Sequence, residues 1–300
     1  MNEMYGIIDI GSNTMRLSCY CIENGRLQQL FHKKNMAGLA GYVDESNKLS
    51  DKGIEKAIKT LESFKRMIGH VGLMSFYVIA TASFRNVNNT QKIVDTIKKR
   101  TGIFVHVLSG REEAVYDFMG TKYYSDLEEG MVVDIGGGST EIVQFSDNKI
   151  VDAESINIGS LNTYKKHVDN LFPTVEEEDE IRKLVRKKLD KLSFTGGKSL
   201  LGVGGSIRAC LKLYNDYYGY KPSNMKMTYS KMHKLLKNTF RGGKPDLDRI
   251  LKIIPERIHT ITPGLIILDE ICDAYSIKEL ELSPGGLREG FMVEQLIHDK

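Results

Sequence analysis

Apolar residues at Ile54, Ala57, Ile58, Leu61, Phe64, Met67 and Ile68 recur at three- and four-residue intervals. This spacing predicts a helix over 51–68, with Ser50 as its N-cap. Short apolar runs around it predict strands at Tyr5–Ile8, at Met15–Ile22 and near Arg26–Phe31. A strand at Phe76–Ala80, a helix at Thr90–Arg100 and a strand at Ile103–Leu108 follow, and Ser109 caps a helix that runs to about Tyr124. The first half therefore reads β-β-β-α-β-α-β-α. The second half restarts the order, with three strands across 131–157, two helices across 159–191, and a strand at Leu200–Val203 that runs through Gly204-Gly205-Ser206 into a helix. Further helices are expected near 230–240, 246–253 and 256–275, then a strand at Glu279–Leu282 and a last helix from Leu287 to about His298. This order predicts an α/β protein with helices flanking a mixed sheet in each half, joined near Asp126–Gly130.

The restart has a local counterpart. Asp9-Ile10-Gly11-Ser12-Asn13-Thr14 and Asp134-Ile135-Gly136-Gly137-Gly138-Ser139-Thr140 each end a buried strand and precede a second one, 125 residues apart. Glycine lets a backbone approach a ligand closely, and successive N–H groups in such a turn form a nest for an anion, usually phosphate. The Asp at the strand end sits where a divalent cation on that phosphate needs an oxygen ligand. Two such turns in matching contexts predict a duplicated fold with a phosphate chain held between its halves.

Composition narrows the class. Three hundred residues with 41% apolar and 27% charged content suit a soluble globular protein of two domains. No apolar run approaches the ~20 residues that span a bilayer. The first strand begins by Tyr5, so a signal peptide is not expected and a cytoplasmic location is. Cys19, Cys21, Cys210 and Cys272 lie in apolar patterns without ligand spacing and read as buried thiols. Net charge is +3, from +5 over residues 1–124 and −2 over residues 125–300. That is no nucleic-acid-binding stripe, and it suits either an ordinary solvated surface or a cleft that draws in an anion from one side. The run Glu176–Glu180, followed by Arg182, Lys183, Arg186, Lys187 and Lys188, reads as a solvated helix whose charges complement its dipole, with Thr174 as N-cap. Gly196-Gly197-Lys198-Ser199 lacks the first glycine of a phosphate-binding Walker loop, and no HExxH or GxSxG occurs.

Three further residues could carry chemistry. Ser109 and Glu112 have capping-box spacing, which gives Glu112 a structural task. Glu113 points about 100° away on the same helix. It is either a surface carboxylate or the group that orients a water for attack on phosphorus. Glu141, seven residues after Asp134, is either an exposed strand residue or a second acid brought back toward a cation. Arg85 follows a strand end and could bind phosphate through its fork.

Seven ordered blocks carry a resemblance across essentially the whole chain. They are DIGSNTMRL (9–17), ATASFRN (80–86), LSGREEA (108–114), VVDIGGGSTEIV (132–143), GVGGSIRA (202–209), TPGLIILDEI (262–271) and LSPGGLREG (282–290). On these the chain resembles the Ppx/GppA phosphatases, exopolyphosphatases and guanosine pentaphosphate phosphohydrolases of the actin-like superfamily, in their short two-domain form. The resemblance implies two ribonuclease-H-like domains, 1–124 and 125–300, with a cleft between them and the last helix, 287–300, packed back on the first. It implies Glu113 as catalytic glutamate and Asp134 and Glu141 as ligands of Mg2+ or another divalent cation. The implied phosphate-binding set is Asp9, Gly11, Ser12, Asn13, Thr14, Arg85, Gly136, Gly137, Gly138, Ser139, Thr140, Gly204, Gly205 and Ser206. Polyphosphate or pppGpp is the implied substrate. No nucleic-acid or membrane partner is implied, and a homodimer is left open. A small-molecule kinase on the same fold and a non-catalytic polyphosphate or alarmone sensor are the competing readings. Two segments depart from the family pattern, Asn35–Gly41, which lacks the usual Arg and Glu, and Ile258–Thr262. Substrate and chain-length preference therefore do not follow from the resemblance.

Overall fold

A computed structural model describes residues 3–239 and 243–298. The chain forms two compact units, Met1–Glu113 with Phe291–Lys300, and Ala114–Gly290.

In the first unit β1 (Met4–Ile10), β2 (Met15–Glu23) and β3 (Arg26–Asn35) form an antiparallel meander. Asn24 and Gly25, both at positive φ, make the tight turn between β2 and β3. β4 (Ser75–Ala80) pairs parallel to β1, and β5 (His106–Val107) parallel to β4, giving the order β3-β2-β1-β4-β5. Parallel pairs need long crossovers, and α1 (Asp51–Val71) and α3 (Thr90–Thr101) supply them. Ser50 Oγ accepts from Gly53 N–H to start α1, and Gly72 at φ 72° ends it. The face of α1 predicted from its spacing is buried, from Ile54 to Phe64, against Ile93 and Ile97 of α3 and the β1–β2 strands. A single turn, α2 (Ala82–Arg85), lies between β4 and α3.

α4 (Gly110–Lys122) leads into the second unit, where Ala114 and Phe118 pack on Val132, Val143 and Phe145. Here β6 (Gly130–Ile135), β7 (Thr140–Ser146) and β8 (Lys149–Ile156) repeat the meander, again with a positive-φ turn, at Asp147-Asn148. β9 (Ser199–Val203) joins β6 in parallel, β11 (Glu279–Leu282) joins β9, and β10 (Lys226–Thr228) adds an antiparallel edge. The order β8-β7-β6-β9-β11 is that of the first unit, and β10 is the one strand added, at the edge beyond β11. Even the irregularities repeat: the register shifts at Cys19/Tyr20 and at Gln144/Phe145, the same positions of the two copies. Each unit is a ribonuclease-H-like domain. α5 (Ser160–His167), α6 (Val175–Leu189), α7 (Gly204–Tyr218) and α8 (Tyr229–Asn238) pack around α10 (Ile261–Ala274), which is buried on nearly every face, α9 (Lys244–Ile253) packs on α7, and α11 (Leu287–Val293) is the last α-helix. All four cysteines are free and buried, and burial lifts the Cys19 thiol to about 11.

Four expectations change. The strand expected at Ile103–Leu108 pairs only through His106 and Val107, while Ile103 and Val105 enter the core outside the ladder. The helix expected from 256 begins at Ile261, because Pro255–Arg257 forms a separate 3₁₀ turn. The short strand β10 had no apolar run to announce it. The charged face of α6 is not simply solvated. Arg182 bonds Asp269 Oδ2 at 2.8 Å, Glu270 Oε1 at 2.6 Å and Glu178 Oε1, and Arg186 also reaches Glu270. Asp269 and Glu270 are only 2% exposed, and His233 Nδ1 lies 2.7 Å from Asp269 Oδ1. Burial works against the Arg182 charge, but Glu270, Asp269 and Glu178 more than offset it and push its pKa up.

Replacing Arg182 would leave two buried acids short of their cation. Arg182→Met should lower unfolding stability by about 3 kcal/mol in urea titration, the cost of breaking a buried pair from one side. A change within 0.5 kcal/mol, the surface-substitution range, would show the network to be solvated after all.

Candidate active site

In the first unit β1, β4 and β5 end side by side. Thr81 N–H and Ser83 Oγ both donate to Ile10 O, and Leu108 N–H donates to Ala80 O. The turn after β1 is closed by Gly11 N–H donating to Thr14 O at 3.0 Å. Its carbonyls are anchored from the loop behind, Asn13 O by Gly38 N–H and Ser12 O by Ala40 N–H, each at 2.9 Å. In a trans peptide the N–H points opposite to the carbonyl, so the N–H groups of Asn13 and Thr14 face away from that loop. The departing segment Asn35–Gly41 is thus the wall behind this turn. Asn side chains tie the continuation of the loop to the stretch after Arg85: Asn47 Nδ2 donates to Asn86 O, Asn88 Nδ2 to Ser46 O and Asn89 Nδ2 to Leu49 O.

At the same sheet end α4 begins with the expected capping box. Ser109 Oγ accepts from Glu112 N–H at 3.2 Å, and Glu112 Oε2 accepts from Ser109 N–H at 2.7 Å. Glu113, next along, is buried at 7% exposure. Arg85 Nη1 donates to Glu113 Oε2 at 2.6 Å and to Leu108 O at 3.1 Å. Of the predicted residues, this unit brings together Arg85 and Glu113. Asp9 lies at the end of β1 with Arg16 directly across the β1–β2 ladder.

The second unit repeats the turn. Gly136 N–H donates to Ser139 O at 3.0 Å. Here the start of α5 anchors the carbonyls: Ser160 N–H bonds Gly136 O, Leu161 and Asn162 N–H bond Gly137 O, and Asn162 Nδ2 bonds Gly138 O. The N–H groups of Gly137, Gly138 and Ser139 therefore face away from α5. Gly159 permits this approach, since a Cβ there would overlap the Gly137–Gly138 peptide. Two predicted hydroxyls are engaged inside the unit, Thr140 Oγ1 donating to Ile158 O and Ser206 Oγ to Ser160 Oγ.

Asp134 and Glu141 face each other across the β6–β7 ladder, so both carboxylates lie on one face of the sheet. Glu141 is 2% exposed and accepts a 2.7 Å bond from Ser155 Oγ. Gly204, at φ 77°, lies against the Asp134 carboxylate, where a Cβ would overlap it. Gly205 is covered in the same way by the Arg257 guanidinium. Burial pulls the Arg257 pKa down, opposed by the charges of Glu256 and Asp134. Two like charges opposed on a sheet are destabilising unless a cation lies with them. Among the described residues no group of three or more His, Cys, Asp or Glu forms a complete metal cage. A pair of carboxylates nevertheless fits Mg2+, which keeps several waters and takes one or two carboxylates plus phosphate oxygens.

Sequence reading missed Arg257 and Arg16. Arg16 had a signal, because it stands seven residues after Asp9 as Glu141 stands seven after Asp134. Arg257 had none beyond its place beside the departing segment.

Sheet order, duplication and the paired turns define a two-domain protein of the actin-like, ribonuclease-H-fold class. The model of the Ppx/GppA phosphatase family matches residues 19–298, and the chain belongs to that family. Its structure is similar to that of the Ppx/GppA family member of Aquifex aeolicus, with a TM-score of 0.84 and 26% identity over 100% of this chain and 99% of that one. A second Aquifex aeolicus structure, described as a PPX-GPPA enzyme, gives 0.81 and 27% over 98% of this chain and 100% of that one. An exopolyphosphatase from Cytophaga hutchinsonii, 20% identical over 98% of both chains with a TM-score of 0.84, shares the fold. No described helix is long and apolar enough to cross a membrane.

The capping box gives a pH signature. Its bonds from Ser109, with His106 nearby, hold the Glu112 carboxyl below its usual range. A depressed folded pKa means stability that is present above the unfolded value, about 4.3, and lost as pH falls through the folded one. Glu112→Gln should therefore cost about 0.5–1 kcal/mol at neutral pH, at the low end for a cap because the side chain is 44% exposed. In thermal melts the gap between wild type and variant should close as pH drops below about 4. A gap that stays constant down to pH 2 would disprove the linkage.

Proposed function

We propose that this chain is a phosphoanhydride hydrolase that releases the terminal phosphate of inorganic polyphosphate or the 5′ γ-phosphate of pppGpp. The observation that carries this reading is Glu113, a buried carboxylate at the first turn of α4, ion-paired to Arg85 at the sheet end where the Gly11–Thr14 turn opens. Membership of a phosphatase family supports it.

In this reading the outward N–H groups of each turn donate to phosphate oxygens, acting as fixed dipoles that need no reorganisation during the reaction. The Gly204-Gly205 floor, against Asp134 and Arg257, would add an edge to the phosphate site of the second unit. Glu113 accepts a hydrogen bond from the attacking water and aims its lone pair at phosphorus, in line with the bridging oxygen that leaves. Positioning and charge stabilisation of this kind supply most of the rate in phosphoryl transfer. Asp134 and Glu141 would hold a divalent cation, Mg2+ by donor type, which when bound offsets phosphate charge. Glu112 stays in the capping box and takes no part. The reading includes a cytoplasmic site of action, with which four unbridged cysteines agree.

The direct test measures phosphate release from polyphosphate and from pppGpp side by side. Release from at least one is expected. Tight binding of both without release would make the chain a sensor, and transfer from ATP to an added acceptor would make it a kinase. Glu113→Gln should keep substrate binding and lose roughly 10²–10⁴ in kcat. Glu112→Gln should leave kcat within a few-fold, and a larger loss there would reverse the assignment.

Asp134→Ala and Glu141→Ala should each raise the Mg2+ concentration at half-maximal activity and weaken Mn2+ binding followed by paramagnetic relaxation of water. Undiminished hydrolysis by either variant in excess chelator would remove the cation from the mechanism.

A further inference from the structure

The Arg85–Glu113 pair raises a question of occupancy. Arg85 reaches Glu113 at 2.6 Å and Leu108 O at 3.1 Å, and its guanidinium side chain is 17% exposed. Glu113 is more deeply buried, at 9% for its side chain. Both stand at the end of β4 and β5, beside the turn after β1. Thr81 N–H and Ser83 Oγ fix the Arg85 segment to Ile10 O, the residue just before Gly11. The asparagine bonds from Asn47, Asn88 and Asn89 tie the chain just after it to residues 46–49, the continuation of the loop that backs the same turn. The backbone that presents Arg85 is thus fixed, while its side chain carries a flexible stem and a planar fork suited to either carboxylate or phosphate.

We propose that Arg85 serves two anions in turn: in the free protein it is the counter-ion of Glu113, and phosphate at the Gly11–Thr14 turn competes for the same fork, releasing Glu113 to take the attacking water. This rests on the reading of Glu113 as the water-orienting residue and adds how that residue is held and freed. A carboxylate already bonded to an arginine offers its oxygen poorly to a water. An incoming phosphate brings more negative charge and further acceptor oxygens, and bidentate Arg–phosphate bonds are among the strong charge-assisted pairs. The exchange links base release to substrate arrival, so Glu113 is paired whenever no phosphate is present. Arg85 acts through Glu113 here and is a positioning residue for the water-activating step.

Competition for one partner has a thermodynamic signature. Removing the Glu113 charge should make Arg85 cheaper to recruit, so Glu113→Gln should bind phosphate more tightly than wild type. The gain should vanish when Arg85 is absent, because the two residues then no longer share a partner. The probe is imidodiphosphate, whose P–N–P link resists hydrolysis, titrated by calorimetry into wild type, Glu113→Gln, Arg85→Met and the double variant. Glu113→Gln should bind roughly tenfold more tightly than wild type, the worth of one charge-assisted hydrogen bond. Arg85→Met should bind more weakly, and adding Glu113→Gln to it should change affinity less than about twofold. Arg85→Lys keeps the charge without the fork; it should show a smaller but measurable gain from Glu113→Gln, and it covers the case in which Arg85→Met does not fold. An equal gain from Glu113→Gln with and without Arg85 would reduce the effect to loss of a nearby charge and overturn the exchange. So would no gain in either background. Failure of all variants and wild type to bind the probe would overturn both the exchange and the hydrolase reading on which it rests.

Discussion

The direction of a few peptide groups at the sheet ends governs what this fold can hold. A trans peptide cannot turn its carbonyl inward without turning its N–H outward. In the first unit the loop behind the turn takes the carbonyls of Ser12 and Asn13, and in the second the first turn of α5 takes those of Gly136, Gly137 and Gly138. The backing differs in kind, an irregular loop in one copy and a helix in the other, yet it leaves N–H groups aimed the same way relative to the strand. Gly11 N–H to Thr14 O and Gly136 N–H to Ser139 O close both turns at the same length. The repeated register shift in β2 and β7 shows that the strand leaving each turn is also bent at the same place. Duplication here preserved a backbone shape, while the segments that support it diverged.

The side chains around that shape diverged too, and in a way that assigns different tasks. Across the first ladder Asp9 faces Arg16; across the second Asp134 faces Glu141. An acid opposite a base needs no added ion, whereas two acids opposite one another create a demand for positive charge. Arg257 meets part of that demand near Asp134, at a cost in burial that pulls its own pKa down. In the proposed reading a hydrated divalent cation with phosphate oxygens would add to that charge.

Features set by a few neighbouring residues were legible in the sequence. The two turns, the Ser109–Glu112 capping box and the buried face of α1 each depend on local spacing, and the structure repeats them. The outcome for Ile103–Leu108 shows the limit of such reading. Its apolar pattern reports burial, but ladder bonding depends on β4, along which only Ile79 and Ala80 find a partner in this segment. The charged helix α6 failed for the same reason: Arg182 and Arg186 look like solvated lysine neighbours until α10 brings Asp269 and Glu270 alongside, more than 80 residues later. Arg257, 123 residues beyond Asp134, reaches the Gly204-Gly205 floor by a route that no periodicity records. The resemblance supplied family-wide roles that spacing could not, yet it was silent on segments where this chain departs.

Those departures fall where they can alter recognition without disturbing the turn. Asn35–Gly41 meets Ser12 and Asn13 through the backbone N–H groups of Gly38 and Ala40, which any non-proline sequence could provide. The anchoring of the first turn therefore depends on side-chain identity only at Gly38, whose φ of 61° favours glycine. The side chains of Asn35, Met36 and Ala37 can therefore vary while the N–H nest stays intact. The Met36 side chain, half exposed, puts apolar surface in this loop. The same separation holds at Arg85. Backbone and asparagine bonds fix where its Cα stands, while its fork answers to whichever anion competes best, so framework and recognition are held by different bonds.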